Sequence, residues 1–71
     1  MTSMSEKIKR LYEYKGYSQA EAARKIGWSV TNFNNKLQRN NWTEKDLHTI
    51  AQALDATFEG LFILKDSRQK F

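Results

Sequence analysis

All five asparagines of this chain, Asn32, Asn34, Asn35, Asn40 and Asn41, fall within the 22 residues Ala22–Thr43, a stretch that holds no aspartate or glutamate. Arg24, Lys25, Lys36 and Arg39 lie in the same stretch and equal the whole formal excess of +4. The other eight Lys/Arg are cancelled by the eight Asp/Glu outside it. An amide side chain presents a donor and an acceptor side by side, which matches a base edge in a major groove. A cation neutralises a phosphate and releases its counterions. The composition of this window points to a nucleic acid, the competing reading being an ordinary solvated face.

Other chemistries find little to work with. The chain has no cysteine, so neither a disulfide nor a thiolate–metal site is available. His48 is the only histidine; it lies near Glu44 and Asp46 and reads as a surface residue, so no metal ligation is expected. No serine has a plausible base, which argues against an enzyme, and no cofactor is implied. No apolar run approaches the ~18 residues of a membrane span, and no signal-peptide core is evident, so a cytoplasmic protein is expected. At 71 residues and a pI of about 9.6, the chain is one small basic domain. A single core of this size is only marginally sufficient. Stability must come from well-formed helices, from aromatic packing (two Trp, three Tyr and four Phe), and from a partner subunit where one exists.

The elements that must position the amides read as five helices in an all-α domain spanning 5–64. Residues 1–4 are a flexible N-terminus, and 65–71 are a charged tail that frays. The first helix runs from Ser5, its cap, to about Lys15, with Ile8, Leu11 and Tyr12 on one face, and Gly16 ends it. The second opens on the capping box Ser18–Glu21, with Tyr17 stapling onto Ala22. It turns Ala20, Ala23 and Ile26 inward and stops at Gly27. The third starts at Ser29 and carries Phe33 and Leu37 inward, and 38–41 form a loop. Thr43 with Asp46 is a second capping box, and Trp42 with Leu47 a second staple. Leu47, Ile50, Ala51 and Leu54 make the cleanest helical stripe. A last short helix, Phe58 to about Leu64 and capped by Thr57, completes the set.

Two short helices joined through Gly27 can cross closely because Ala23 is small and glycine takes the left-handed conformation without strain. Trp28 plugs the turn, and Phe33 and Leu37 pin the helix that follows. Val30, Thr31, Asn34, Asn35 and Gln38 are left outward or partly outward. A protruding helix with such side chains fits a major groove.

Here the sequence resembles the lambda-repressor-like, or XRE-type, helix-turn-helix family. The resemblance is carried by Ser18-Gln19-Ala20-Glu21-Ala22-Ala23-Arg24-Lys25-Ile26-Gly27-Trp28-Ser29, by the Asn-Phe-Asn-Asn-Lys-Leu at 32–37, and by Leu47-His48-Thr49-Ile50-Ala51-Gln52-Ala53-Leu54 with Glu59-Gly60-Leu61-Phe62. It covers roughly Glu6 to Leu64. It implies that Gln19 touches a phosphate and braces a recognition-helix side chain. Val30, Thr31 and Asn35 would read bases, with Asn34 beside them, while Gln38 contacts the backbone. Arg39, Asn40 and Asn41 would lie along the adjacent sugar-phosphate strand; Ser29 and Lys36 are further phosphate candidates, although Lys36 and Arg39 suit free surface charges equally well. Family members often pair an arginine in the first helix with a glutamate late in the third; Tyr12 and Leu37 stand there instead, an apolar replacement that leaves the fold intact. Val30 departs from the usual polar residue, and would pack against a thymine methyl.

Several residues have a second reading. Asn40 and Asn41 also suit a turn. Trp28 and Trp42 suit the core better than a base stack. Phe58, Leu61, Phe62 and Ile63 either close the core or form a twofold contact. The expected function is sequence-specific binding of double-stranded DNA by a small, Cro-like repressor. Its recognition helix spans about 29–38, and a homodimer sits on a near-palindromic operator without a small-molecule effector. The alternative is a protein-interaction module, such as an antitoxin-like or accessory subunit of the same fold.

Overall fold

The computed structural model describes residues 3–71 and contains four helices followed by a small antiparallel sheet. The helices are α1 (Met4–Tyr14), α2 (Gln19–Ile26), α3 (Val30–Arg39) and α4 (Glu44–Ala53), and the strands are β1 (Ala56–Phe58) and β2 (Phe62–Leu64). Of the N-terminal residues 1–4 expected to be flexible, 1–2 lie outside the described residues, whereas Ser3 and Met4 begin α1.

Local bonds set the helix starts. Ser18 accepts from the Glu21 N–H and Glu21 accepts from the Ser18 N–H, so both arms of the capping box form; Thr43 and Asp46 repeat it at α4. Ser29 caps α3 through the Asn32 N–H. Gly27 closes α2 at φ +92°, a conformation in which a side chain would be strained. At α1 the cap is Ser3, not Ser5. Ser5 sits within the first turn, where its hydroxyl donates to the Leu37 carbonyl at 2.7 Å and accepts from Trp42 Nε1 at 3.1 Å. The Ser5 hydroxyl is thus taken up by the end of α3 and by Trp42 of the α3–α4 loop, which leaves the cap to Ser3.

The core lies where all four helices and the sheet converge. Ile8, Leu11 and Tyr12 of α1 face Ala22, Ala23 and Ile26 of α2, Phe33 of α3, and Leu47, Ile50 and Ala51 of α4. Ala22 takes the buried place expected of Ala20, which is only half-buried. Phe33 is fully buried, with the rings of Tyr12, Trp28 and Trp42 at 6.1, 6.1 and 6.3 Å. Trp28 and Trp42 stack at 6.5 Å, which places both tryptophans in the core margin.

The expected fifth helix is absent among the described residues, and the all-α, five-helix description is corrected. Thr57 caps nothing. It lies in β1, which pairs antiparallel with β2 in the register Ala56↔Leu64, Thr57↔Ile63 and Phe58↔Phe62. Gly60, at φ +76°, turns the Glu59–Leu61 loop and would have cost a helix interior about 1 kcal/mol. The flanking Thr, Phe and Ile residues favour an extended backbone, and burial alternates along Phe62, Ile63 and Leu64. Asp55, at φ +57°, separates α4 from this hairpin.

Phe62 is 0 % exposed and belongs to the core, so it cannot serve as a dimer contact. Phe58, Leu61 and Ile63 remain half-buried. The expected frayed tail is also corrected. Phe71 exchanges backbone hydrogen bonds with Phe62 at 2.8 and 2.9 Å, and the Leu64 N–H donates to the Gln69 carbonyl. The Phe71 ring rests 5.3 Å from Tyr14. A charged sequence here still adds to the sheet, because its backbone has an open β2 edge to pair with.

Candidate nucleic-acid interface

Helix α3 presents an uncharged ridge. Thr31 and Asn35 are exposed one turn apart, Val30 is 43 % exposed at the first helical position, and Gln38 extends the same side. Phe33 and Leu37 hold the opposite side against the core. Among the helices, α3 alone has no acidic residue in its first turn, whereas α1, α2 and α4 carry Glu6, Glu21, and Glu44 with Asp46. An acid there would stabilise the helix dipole by ~0.3–1 kcal/mol. Its omission leaves the positive end of α3 open to an anion.

A groove flanks the ridge on either side. On the α1–α2 side, Gln19 Nε2 donates to Asn34 Oδ1 at 3.1 Å, so Asn34 is half-buried and oriented by α2. This groove, of about 200 Å³, also takes in Lys9, Tyr12 and Gln38. On the other side Asn32, Asn35, Arg39 and Asn41 border a second groove of about 170 Å³ with an edge of Lys36. Gln19, Asn34, Asn35, Gln38 and Arg39 therefore do gather along one helix and its flanks. Ser29 stands at the head of the ridge, its oxygen committed to the Asn32 N–H.

The four cations of the acid-free window do not act as a set. Arg24 and Lys25 border a separate hollow with Tyr17 and Glu21, and Lys25 lies over the Tyr17 ring at 5.2 Å. Lys36 is paired with Asp46 at 3.0 Å and covers the Trp28 ring at 5.5 Å. Burial pushes the Asp46 carboxyl up, but the Lys36 ammonium and the Thr43 N–H together pull it below its ordinary value. Arg39 has no ion pair among the described residues. The charge expected of Lys36 as a phosphate contact is thus largely neutralised by a residue ten positions away, outside the window.

Asn40 is likewise committed to structure. It closes α3 in the left-handed conformation at φ +51°, and its Oδ1 accepts from the Ser5 N–H at 3.0 Å, capping α1 from across the fold. The turn reading of Asn40 holds; a phosphate contact would fall to its remaining amide N–H groups.

No protein-family model, curated protein or solved structure matches the chain.

Lys9 and Tyr12 are the residues that sequence reasoning did not place at the site. They lie outside the acid-free window and reach it only because α1 packs alongside α3. Their sole sequence signal is that Lys9 stands three residues from Tyr12, on the margin of the apolar stripe of α1. Glu6 borders the same groove and adds an acid to a face that looked acid-free in the sequence.

Proposed function

We propose that this chain binds double-stranded DNA sequence-specifically, as a small transcriptional regulator of the lambda-repressor-like helix-turn-helix kind, with α3 in the major groove. One observation carries this: an exposed helix whose outward side is uncharged and amide-rich lies between two grooves, each with an exposed cation, Lys9 on one side and Arg39 on the other. A helix in a major groove meets bases along its ridge and a phosphate strand on each flank, so this order of groups suits the duplex. Thr31 and Asn35 would reach base edges, with Val30 against a thymine methyl. Gln19 would hold Asn34 in place, and Arg39 and Gln38 would take the flanking phosphates. The resemblance of Ser18–Ser29 and of the 32–37 stretch to the family supports the same assignment. Such a regulator acts in the cytoplasm; no helix among the described residues is long and apolar enough to cross a membrane.

Two copies on a near-palindromic site about one helical turn between half-site centres would complete the arrangement. Leu61 and Ile63, half-buried on the hairpin, are the apolar groups left for that contact.

Selection of bound sequences from a random duplex pool, followed by a salt titration of the best binder, tests the proposal. Enrichment of a twofold motif is expected. With two cations per copy, the logarithm of affinity should fall with the logarithm of salt at a slope of about −4 for a dimer. Absence of binding to every duplex at low salt would sink it and favour the protein-interaction reading.

A further inference from the structure

Tyr12 is the most buried polar side chain bordering the groove that Lys9, Gln19, Asn34 and Gln38 line between α1 and α3 (the α1–α3 groove). Only 3 % of the residue is exposed. Its hydroxyl has no hydrogen-bond partner among the described residues, yet it is not sealed from solvent. Burial raises the phenol above its ordinary range, helped by the neighbouring Glu13 carboxylate, so it stays protonated and acts as a donor. The ring is packed in the core while the hydroxyl reaches the groove with no acceptor among the described residues, so it is free to donate to a ligand there in place of water. Beside it stands Lys9, exposed and without an ion pair among the described residues. The amides of Gln19 and Gln38 line the opposite side of the same groove. A phenolic O–H, an ammonium and two amides around an apolar floor form a set of donors that suits one tetrahedral anion.

We propose that the α1–α3 groove seats one DNA backbone phosphate, with the Tyr12 hydroxyl and the Lys9 ammonium as its principal donors. This rests on the duplex-binding reading above and makes α1 a part of the interface. Tyr12 fixes where the phosphate sits and Lys9 supplies the charge. The position occupied by an apolar contact in the sequence reading thereby acquires a ligand. Glu6, at the rim, opposes the phosphate and tempers the affinity.

Tyr12→Phe removes one oxygen and leaves the ring packed on Phe33. Duplex affinity should fall about tenfold per bound copy, equally on specific and non-specific sequences, with the salt slope unchanged because the hydroxyl is neutral. The melting temperature should stay level or rise, since no protein contact is lost. Lys9→Gln should weaken binding on every sequence and reduce the salt slope by about one per copy. Glu6→Gln should tighten it. Affinity of Tyr12→Phe within twofold of the unaltered protein overturns the phosphate seat while leaving the duplex-binding reading in place. Loss of affinity matched by a lower melting temperature also overturns it, because the hydroxyl is then structural. Failure of the unaltered protein to bind any duplex removes both.

Discussion

The Lys36 ammonium and the Asp46 carboxylate meet at 3.0 Å, tying the last turn of α3 to the first turn of α4 directly above the Trp28 ring. Both side chains are half-buried, and Asp46 also closes the capping box of α4 through the Thr43 N–H at 3.2 Å. One carboxylate therefore holds a helix start and a helix–helix contact together. A cation that the linear charge pattern assigns to a phosphate is engaged within the fold.

Lys36→Gln and Arg39→Gln should separate in a salt titration of duplex binding. Arg39→Gln is expected to lower the slope by about one per copy, whereas Lys36→Gln should leave it nearly unchanged and reduce stability instead. Equal slopes for the two variants would show that Lys36 leaves Asp46 when DNA arrives.

Asp46 makes stability depend on pH on the acid side. Its native carboxyl lies below its ordinary value, so its contribution is complete above about pH 4 and is lost as pH falls through the depressed native value. Asp46→Asn should cost about 1–2 kcal/mol at neutral pH, with the gap narrowing toward pH 2. Urea denaturation at pH 7, 4 and 2 measures this; a constant gap would mean that packing, not charge, is what Asp46 provides.

Asn35→Ala should relax sequence preference more than it weakens non-specific binding, because an amide on a base edge contributes roughly 1–3 kcal/mol of discrimination. Asn34→Ala should loosen Gln19 as well, since the two share a 3.1 Å bond. Competition between matched and scrambled duplexes reads both effects. An equal loss on every sequence would reduce Asn35 to a positioning contact.

Phe62→Ser should unfold the domain, at a cost of about 3–5 kcal/mol for loss of a fully buried ring. Leu61→Ser, by contrast, should leave the fold intact and weaken any self-association. Circular dichroism with sedimentation distinguishes them, and a folded Phe62→Ser monomer would contradict the burial of this ring.

Much of the helical part was legible in the sequence. Ser18 with Glu21 and Thr43 with Asp46 each close a bond between residues three apart, and Gly27 ends α2 where only the backbone conformation matters. Such signals are local, and packing had no reason to override them. The stretch 58–64 was not legible as a helix or a strand from hydrophobicity alone, because a short apolar run suits both periods. Gly60 between Phe58 and Phe62 was the signal for the hairpin.

The sequence by itself determined the amide-rich ridge. Thr31, Asn35 and Gln38 share a side of α3 because the helical repeat places them there, opposite Phe33 and Leu37. What surrounds that ridge was decided only by tertiary structure. The acid-free window acquired Asp46 against Lys36, lost Arg24 and Lys25 to another surface, and gained Lys9 and Tyr12 from α1. Charge is counted along a chain, but electrostatics acts through space, and residues ten to thirty positions apart become neighbours only when the core has packed.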